Sequence, residues 1–161
     1  MPKLGAIMTD ITISESLPGW MKKHIKLYLE DGEAGHLWDA SIGGGEGMIT
    51  TLLLTTIGRK SGKSLIIPLI YRPTDDGGYC VIASKGGAPS HPSWFLNLEA
   101  NPAVNLKVAN QELKAQARIA EGQEREDLWN TMVGYYGPYA DYQAATERQI
   151  PVVVFNPVQA D

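Results

Sequence analysis

The chain has 161 residues, 43% of them hydrophobic and 20% charged, with a formal net charge of −4 at pH 7. That length fits one domain whose folding removes roughly two thirds of the unfolded surface from water. The negative balance argues against an electrostatic nucleic-acid binder, the single cysteine, Cys80, excludes an internal disulfide, and no apolar run reaches the roughly 18 residues of a membrane-spanning helix.

Residues 1–18 mix Ile7, Ile11 and Ile13 with small polar residues and read as a flexible arm punctuated by Pro18-Gly19. Over 19–31, Trp20, Met21, Ile25, Leu27, Tyr28 and Leu29 alternate with Lys22, Lys23 and Lys26, which predicts an amphipathic helix ending at Asp31-Gly32. Such a helix commonly covers a core. Its basic edge beside a free arm also leaves room for a lid, or for weak contact with a membrane surface. With no apolar run of signal-peptide length near Met1, the expected location is cytoplasmic, with membrane association through this arm as the variant. His24, His36 and His91 lie far apart and none has a second ligand at helical spacing, so no metal site is expected.

Gly43-Gly44-Gly45-Glu46-Gly47 predicts a flexible loop, since no strand leads into it and no helical pattern leaves it. The pattern then turns to β over 48–57, 65–71 and 79–83, with hairpin-like joints at Gly58–Ser64 and Pro73–Gly77. Cys80 in the third of these strands reads as a buried small hydrophobe rather than a nucleophile. Pro68 lacks a backbone donor, which predicts an edge or a bulge where neighbouring backbone groups are free to read a planar ligand.

The first joint, Gly58-Arg59-Lys60-Ser61-Gly62-Lys63, sets three cations in a glycine-bounded turn. Side-chain charge and free N–H groups together suit a phosphate or a carboxylate. A plain solvated hairpin has the same composition, and the turn alone does not separate the two. Ser84 to Pro89 reads as a loop and 91–98 as a short helix ending at Asn101-Pro102. Two strands follow at 104–108 and 113–119, then a helix over 121–133, a break at Gly137-Pro138 that can start another helix, and an apolar strand over 151–155. On that second helix Tyr139 and Tyr142 share a face, with Tyr136 at the break beside them. About six antiparallel strands, three short helices and no βαβ alternation predict a β-rich α+β domain, a small barrel flanked by helices.

Thr55–Gly62, Pro68–Tyr71, Ala83–Gly87, His91–Leu98, Tyr139–Gln143 and Arg148–Val153, in that order, resemble the deazaflavin-dependent nitroreductase family. These actinobacterial reductases use reduced coenzyme F420, an 8-hydroxy-5-deazaflavin. The resemblance implies a single split β-barrel domain over 1–161, of the kind that also binds flavin mononucleotide. It implies that Arg59, Lys60, Ser61 and Gly62 hold the anionic tail of the cofactor, with Lys85 alongside. Ile66, Pro68, Leu69, Ile70 and Tyr71, with Ile82, Ala83 and Ser84, would line the ring, and Ser93, Trp94 and Asn97 would complete the pocket. Trp94 in isolation reads equally as core packing.

The implied reaction moves hydride to a quinone, an enone or conjugated lactone, or a nitroaromatic, and the acceptor then needs a proton. Tyrosine, ordinarily protonated at neutral pH, is a suitable donor. Tyr139 is the candidate, with Ser84 as a second hydrogen bond and Tyr136 and Tyr142 as walls of the substrate pocket. Two other readings fit the same residues: an enzyme using flavin mononucleotide, and a non-catalytic carrier of deazaflavin or a lipid-like ligand. The expected partner is a small-molecule hydride acceptor, with no nucleic acid; oligomeric state is not legible.

Overall fold

The computed structural model describes residues 11–158. Their elements run β1 (Ile11–Thr12), α1 (Gly19–Glu30), α2 (Gly32–His36), β2 (Leu37–Asp39), β3 (Met48–Ile57), β4 (Ser64–Ile70), β5 (Arg72–Pro73), β6 (Tyr79–Ile82), α3 (Ser93–Ala100), β7 (Ala103–Val108), β8 (Gln111–Ile119), α4 (Gly122–Tyr135), α5 (Pro138–Ala144) and β9 (Val152–Pro157). Short 3-10 turns occupy Ala40–Gly43 and Lys85–Gly87.

The strands form one sheet in the order β1-β4-β3-β7-β8-β9-β6-β5, with β2 pairing separately to β3. Every pairing is antiparallel except β1 with β4, where Ile11 and Thr12 run parallel to Ser64 and Leu65. The rest of the arm expected over 1–18 lies partly outside the described residues. The six expected strands are all present, and β1, β2 and β5 are additional; at two or three residues each they are too short to carry a readable period. Two helices, α1 and α2, precede β2 where the sequence suggested one, because Asp31 ends α1 and its carboxylate then caps α2 by accepting from Ala34 N at 3.2 Å.

The period-2 alternation of the strands explains why several of them read as unbroken apolar runs: both faces of the sheet are covered. Leu52 and Leu54 of β3, Val81 of β6 and Val153 and Phe155 of β9 point inward, with Trp94, Phe95 and Leu98 of α3 closing that core. Their strand neighbours point outward. Leu53 meets Ile25 and Tyr28 of α1, while Cys80, Val152 and Val154 meet Met132 of α4 and Tyr136 and Tyr139. Helix α1 therefore roofs β3 and β4, and α4 with α5 roofs β6 and β9.

Pro68 is buried and faces Leu53 across the β3–β4 ladder, while β1 covers only the first two residues of the outer edge of β4. Beyond Leu65 that edge has no strand partner among the described residues. A proline is accommodated there because no ladder bond is demanded of its nitrogen on the open side.

Candidate functional site

A cavity of about 380 Å³ opens between the free edge of β4, the roof helix α1 and the tyrosines of α5. Its volume lies in the range of small-molecule sites. Ile67, Pro68, Leu69 and Ile70 supply one wall, Ile82, Ser84, Lys85 and Gly86 a second, and Pro92 and Trp94 the floor beside α3. Tyr136, Tyr139 and Tyr142 face them, and Leu17, Trp20, Met21, His24, Trp38 and Gly43 close the remaining side.

Pro138 at the first turn of α5 fixes the helix start, and the three tyrosines then cluster edge to face. The ring centroids of Tyr136 and Tyr139 are 5.0 Å apart, and those of Tyr139 and Tyr142 are 6.2 Å apart. Tyr136 donates its hydroxyl hydrogen to the Gly43 carbonyl at 2.9 Å, so at 3.4 Å the Tyr142 hydroxyl is the donor to Tyr136. Tyr139 is 4% exposed and makes no side-chain hydrogen bond among the described residues. No fully enclosed side-chain polar atom among them lacks a partner, and Tyr139 both lines the cavity and packs in the core under α4. Burial holds its pKa well above the ordinary value of 10, which keeps this phenol protonated throughout the neutral range.

The Ser84 wall is a strained loop. Lys85, Gly86 and Gly87 all have positive φ, at 47°, 62° and 81°. Lysine in the left-handed region costs energy that neighbouring contacts must offset. Those contacts come from Arg148, whose guanidinium donates to the carbonyls of Ala83, Ser84 and Ala88 and to His91 Nδ1. Arg148 was not among the residues expected to form the site, although it stands in a stretch that carried the family resemblance. Gly87 has a second reason to be glycine, since a Cβ there would lie 2.6 Å from the Tyr142 carbonyl.

The basic turn joins β3 to β4, closed by Gly58 N to Lys63 O at 2.8 Å and by Gly62 in the left-handed region. Asn97 of α3 fixes it. Its Oδ1 accepts from Arg59 N at 3.1 Å and from Arg59 Nη1 at 2.9 Å, and its Nδ2 donates to Thr56 Oγ1 at 3.2 Å. Asn97 is 2% exposed, so its role is to aim Arg59 along the first turn of α3, where Nη1 also reaches Ser93 O at 3.5 Å. The turn thus sits on the helix whose Trp94 floors the cavity. Lys60, Lys63 and Lys85 have no carboxylate partner among the described residues. Positive charge without internal neutralisation marks a surface open to an anion.

The cavity brings together Pro68, Leu69, Ile70, Ile82, Ser84, Lys85, Trp94, Tyr136, Tyr139 and Tyr142 from the expected set. Arg59, Lys60, Ser61 and Gly62 lie outside its lining, on the neighbouring turn. Ile66 faces the other way, packed with Ile25, Tyr28 and Leu53 under α1. Tyr71 belongs to the inner core and shares a 2.8 Å hydrogen bond with His36, and Ala83 is also a core residue, fully buried. Alternation does not decide this, since four consecutive residues of the open β4 edge, Ile67 to Ile70, line the cavity; Ile66 is withheld because α1 covers it, and Tyr71 and Ala83 because the inner core takes them. The wall the sequence did not resolve is that of α1, Trp38 and Gly43. Trp20 stacks on Trp38 at 5.6 Å, and Trp38 meets Tyr136 at 6.2 Å. The lid reading of the amphipathic helix was the available signal; its partner Trp38 lies on a three-residue strand without pattern.

A planar ligand in an apolar slot and an anionic tail on an adjacent basic turn describe what this geometry can take. The family model for F420H2-dependent quinone reductase matches residues 20–157. An F420H2-dependent quinone reductase of Mycobacterium tuberculosis is 32% identical over 148 residues, covering 85% of this chain and 95% of that protein. Among solved structures, an F420-H2 dependent reductase, FDR-A, is 45% identical with a TM-score of 0.61 over 66% of this chain and 93% of its own. Another, described as a domain-swapped dimer, is 38% identical with a TM-score of 0.63, covering 85% of this chain and 97% of its own. The rolled antiparallel sheet is the split barrel of these reductases, and with the match extending from the roof helix to the last strand, the chain belongs to the F420H2-dependent quinone reductase family.

Proposed function

We propose that this chain is a reductase that takes hydride from reduced coenzyme F420 and delivers it to a quinone lying under the tyrosine helix, with Tyr139 supplying the proton. Enones, conjugated lactones and nitroaromatics are the further acceptors that the same slot would admit. The observation that carries this reading is Tyr139, buried, protonated and with no side-chain partner among the described residues, on the wall of a mostly apolar cavity.

The residues fit the cofactor. Pro68, Leu69 and Ile70 with Trp94 form a slot for a planar ring, and the unpaired charges of Arg59, Lys60 and Lys85 suit a phosphate and carboxylate tail. Ser61 and Gly62 shape that turn, and Asn97 acts through Arg59. Bound there, reduced deazaflavin supplies a hydride from carbon, a two-electron donor that reacts sluggishly with oxygen. The protein orients the acceptor and excludes water, the latter through Trp20, Met21 and Trp38 on the α1 side. A quinone that gains one hydride and one proton becomes the hydroquinone. The developing oxyanion draws the proton from the Tyr139 O–H bond, and Ser84 offers a second hydrogen bond from the opposite wall.

Mixing the protein with F420H2 and menadione should return the absorbance of the oxidised deazaflavin at a rate proportional to enzyme; no turnover with any quinone, enone or nitroimidazole would sink the reading. On the outer face of α1, Trp20, Lys23 and Leu27 form one exposed stripe, suited to weak contact with an anionic membrane surface. Sedimentation with phosphatidylglycerol vesicles, weakening as salt rises, checks this; no sedimentation at low salt rejects it. No helix among the described residues is long and apolar enough to cross a membrane.

A further inference from the structure

The two groups assigned to the acceptor, Ser84 and Tyr139, stand on separate elements with no direct bond between them among the described residues. The two elements touch where Gly87 packs on Tyr142, and one residue hydrogen-bonds to both. The side chain of Arg148 holds the Ser84 loop, with Nη2 to Ser84 O at 2.5 Å, Nη1 to Ala83 O at 3.2 Å and Nε to Ala88 O at 2.7 Å. Its backbone holds the tyrosine helix, because Gln143 of α5 donates to the Arg148 carbonyl at 2.8 Å. The other end of the same Gln143 amide accepts from Ile150 N at 3.0 Å, which fixes its orientation and ties α5 to the approach to β9.

Arg148 has no carboxylate partner among the described residues. A half-buried guanidinium is normally paired with an acid, yet here it is spent on backbone carbonyls of one loop. His91 Nδ1, 3.1 Å from Nη1, must be an acceptor, since a guanidinium can only donate, and that leaves the His91 ring hydrogen on Nε2. The planar fork is what lets three nitrogens reach acceptors on different residues at once; an ammonium cannot reproduce it.

We propose that Arg148 and Gln143 form a clasp that sets the separation of Ser84 from Tyr139, making both positioning residues for proton delivery to the acceptor. The proposal rests on the reductase reading above. It acts through the reacting groups and touches neither cofactor nor acceptor, for neither Arg148 nor Gln143 lines the cavity. A displacement of about 1 Å at a reacting group can cost on the order of a hundredfold in rate. The strained Lys85–Gly87 segment is the part that would relax once released.

The test is a set of five proteins: wild type, Arg148→Lys, Arg148→Ala, Gln143→Met and the double variant of Arg148→Lys with Gln143→Met. Arg148→Lys keeps the charge and loses the fork, and should lower menadione-dependent kcat roughly ten- to a hundredfold. The dissociation constant for F420, measured by its fluorescence, should stay within about twofold, and the solvent deuterium isotope effect on kcat should rise as proton delivery becomes limiting. Gln143→Met should show the same signature, and the double variant should be little worse than either, since both cut one linkage. Millimolar guanidinium chloride should partly restore turnover in Arg148→Ala.

Loss of F420 affinity without loss of kcat, an unchanged isotope effect, or strictly additive losses would each overturn the clasp. If Arg148→Ala fails to fold, the lysine and methionine variants still decide the matter. Amide exchange separates the two readings. Arg148→Lys should speed exchange at residues 84–88 while leaving β3 and β9 unchanged, whether or not the protein turns over a quinone. Unchanged exchange there rejects the clasp, whereas faster exchange in Arg148→Lys together with a wild type that turns over no quinone rejects the reductase reading alone.

Discussion

Tyr139 owes its proposed chemistry to two physical conditions acting together. Burial raises the cost of the phenolate, and the hydroxyl has no protein partner among the described residues on a residue that lines the cavity. Such a phenol keeps its hydrogen throughout the neutral range, available to bond the acceptor oxygen on which charge develops as hydride arrives. Tyr139→Phe should therefore lower kcat by roughly 10²–10⁴-fold, the usual worth of a general acid, with F420 affinity nearly unchanged. Weakened cofactor binding at constant kcat would make it a pocket wall only. Since the proton is lost only well above pH 10, no Tyr139-dependent inflection in kcat should appear below that pH; a fall between pH 7 and 9 that vanishes in Tyr139→Phe would contradict the assignment. Cys80 gives the opposite case. It is fully buried under α4 with its thiol pushed up to about 12, so alkylating reagents should leave it untouched until the protein unfolds.

The β3–β4 turn works as a unit, because Asn97 freezes Arg59 while the lysines beside it stay unpaired among the described residues. Lys60→Ala should weaken F420 binding roughly two- to fivefold at low ionic strength and less at high salt, where screening has already reduced the contact. A loss independent of salt would remove Lys60 from the tail site. The roof helix α1 is seated by a close approach: a Cβ on Gly35 would lie 2.4–2.6 Å from Tyr28. Gly35→Ala should cost about 1–3 kcal/mol by overpacking, read as a lower unfolding midpoint in urea. At the β5–β6 hairpin, Thr74, Asn156, Gly78 and Arg118 hold the Asp76 carboxylate down to about 2, against an ordinary value of 3.8. A folded-state value below the unfolded one gives stability that is present above pH 3.8 and lost as pH falls towards 2. Asp76→Asn should remove that part of the acid dependence and leave the behaviour near pH 7 with a smaller change.

Across the molecule, the site exists because two roofs meet at one open strand edge. The free edge of β4, the α1 roof and the α5 roof each contribute one wall, and none of them alone encloses a ligand. Trp20 is the residue where lid and cavity join, stacked on Trp38 and still 43% exposed. Trp20→Ala should raise KM for menadione roughly three- to tenfold through lost aromatic contact while changing kcat little; an unchanged KM would place the acceptor away from α1.

Much of this was legible in order along the chain. Apolar and β-branched runs, with alternation over 114–119, placed β3, β4, β6, β7, β8 and β9 within a residue or two, since strands of four residues or more are long enough to show them. Turn chemistry marked the basic hairpin, and the tyrosine spacing on α5 placed three rings on one wall. What local pattern could not carry was direction and distance. Whether Ile66, Tyr71 or Ala83 meets a ligand or the core depends on what covers each one, α1 over Ile66 and the inner core around Tyr71 and Ala83, and that cover comes from segments far away in sequence. The meeting of Trp38 with Trp20 and Tyr136, and the reach of Arg148 across some sixty residues to Ala83 and Ser84, arise only when the sheet closes. Residue types and their spacing thus specified which chemistry was available, a basic cradle and a protonated phenol. Long-range packing specified where they stand, the phenol on the cavity wall and the basic turn beside it on α3, because only the folded sheet brings the edge of β4, the Ser84 loop and the tyrosine helix around one cavity.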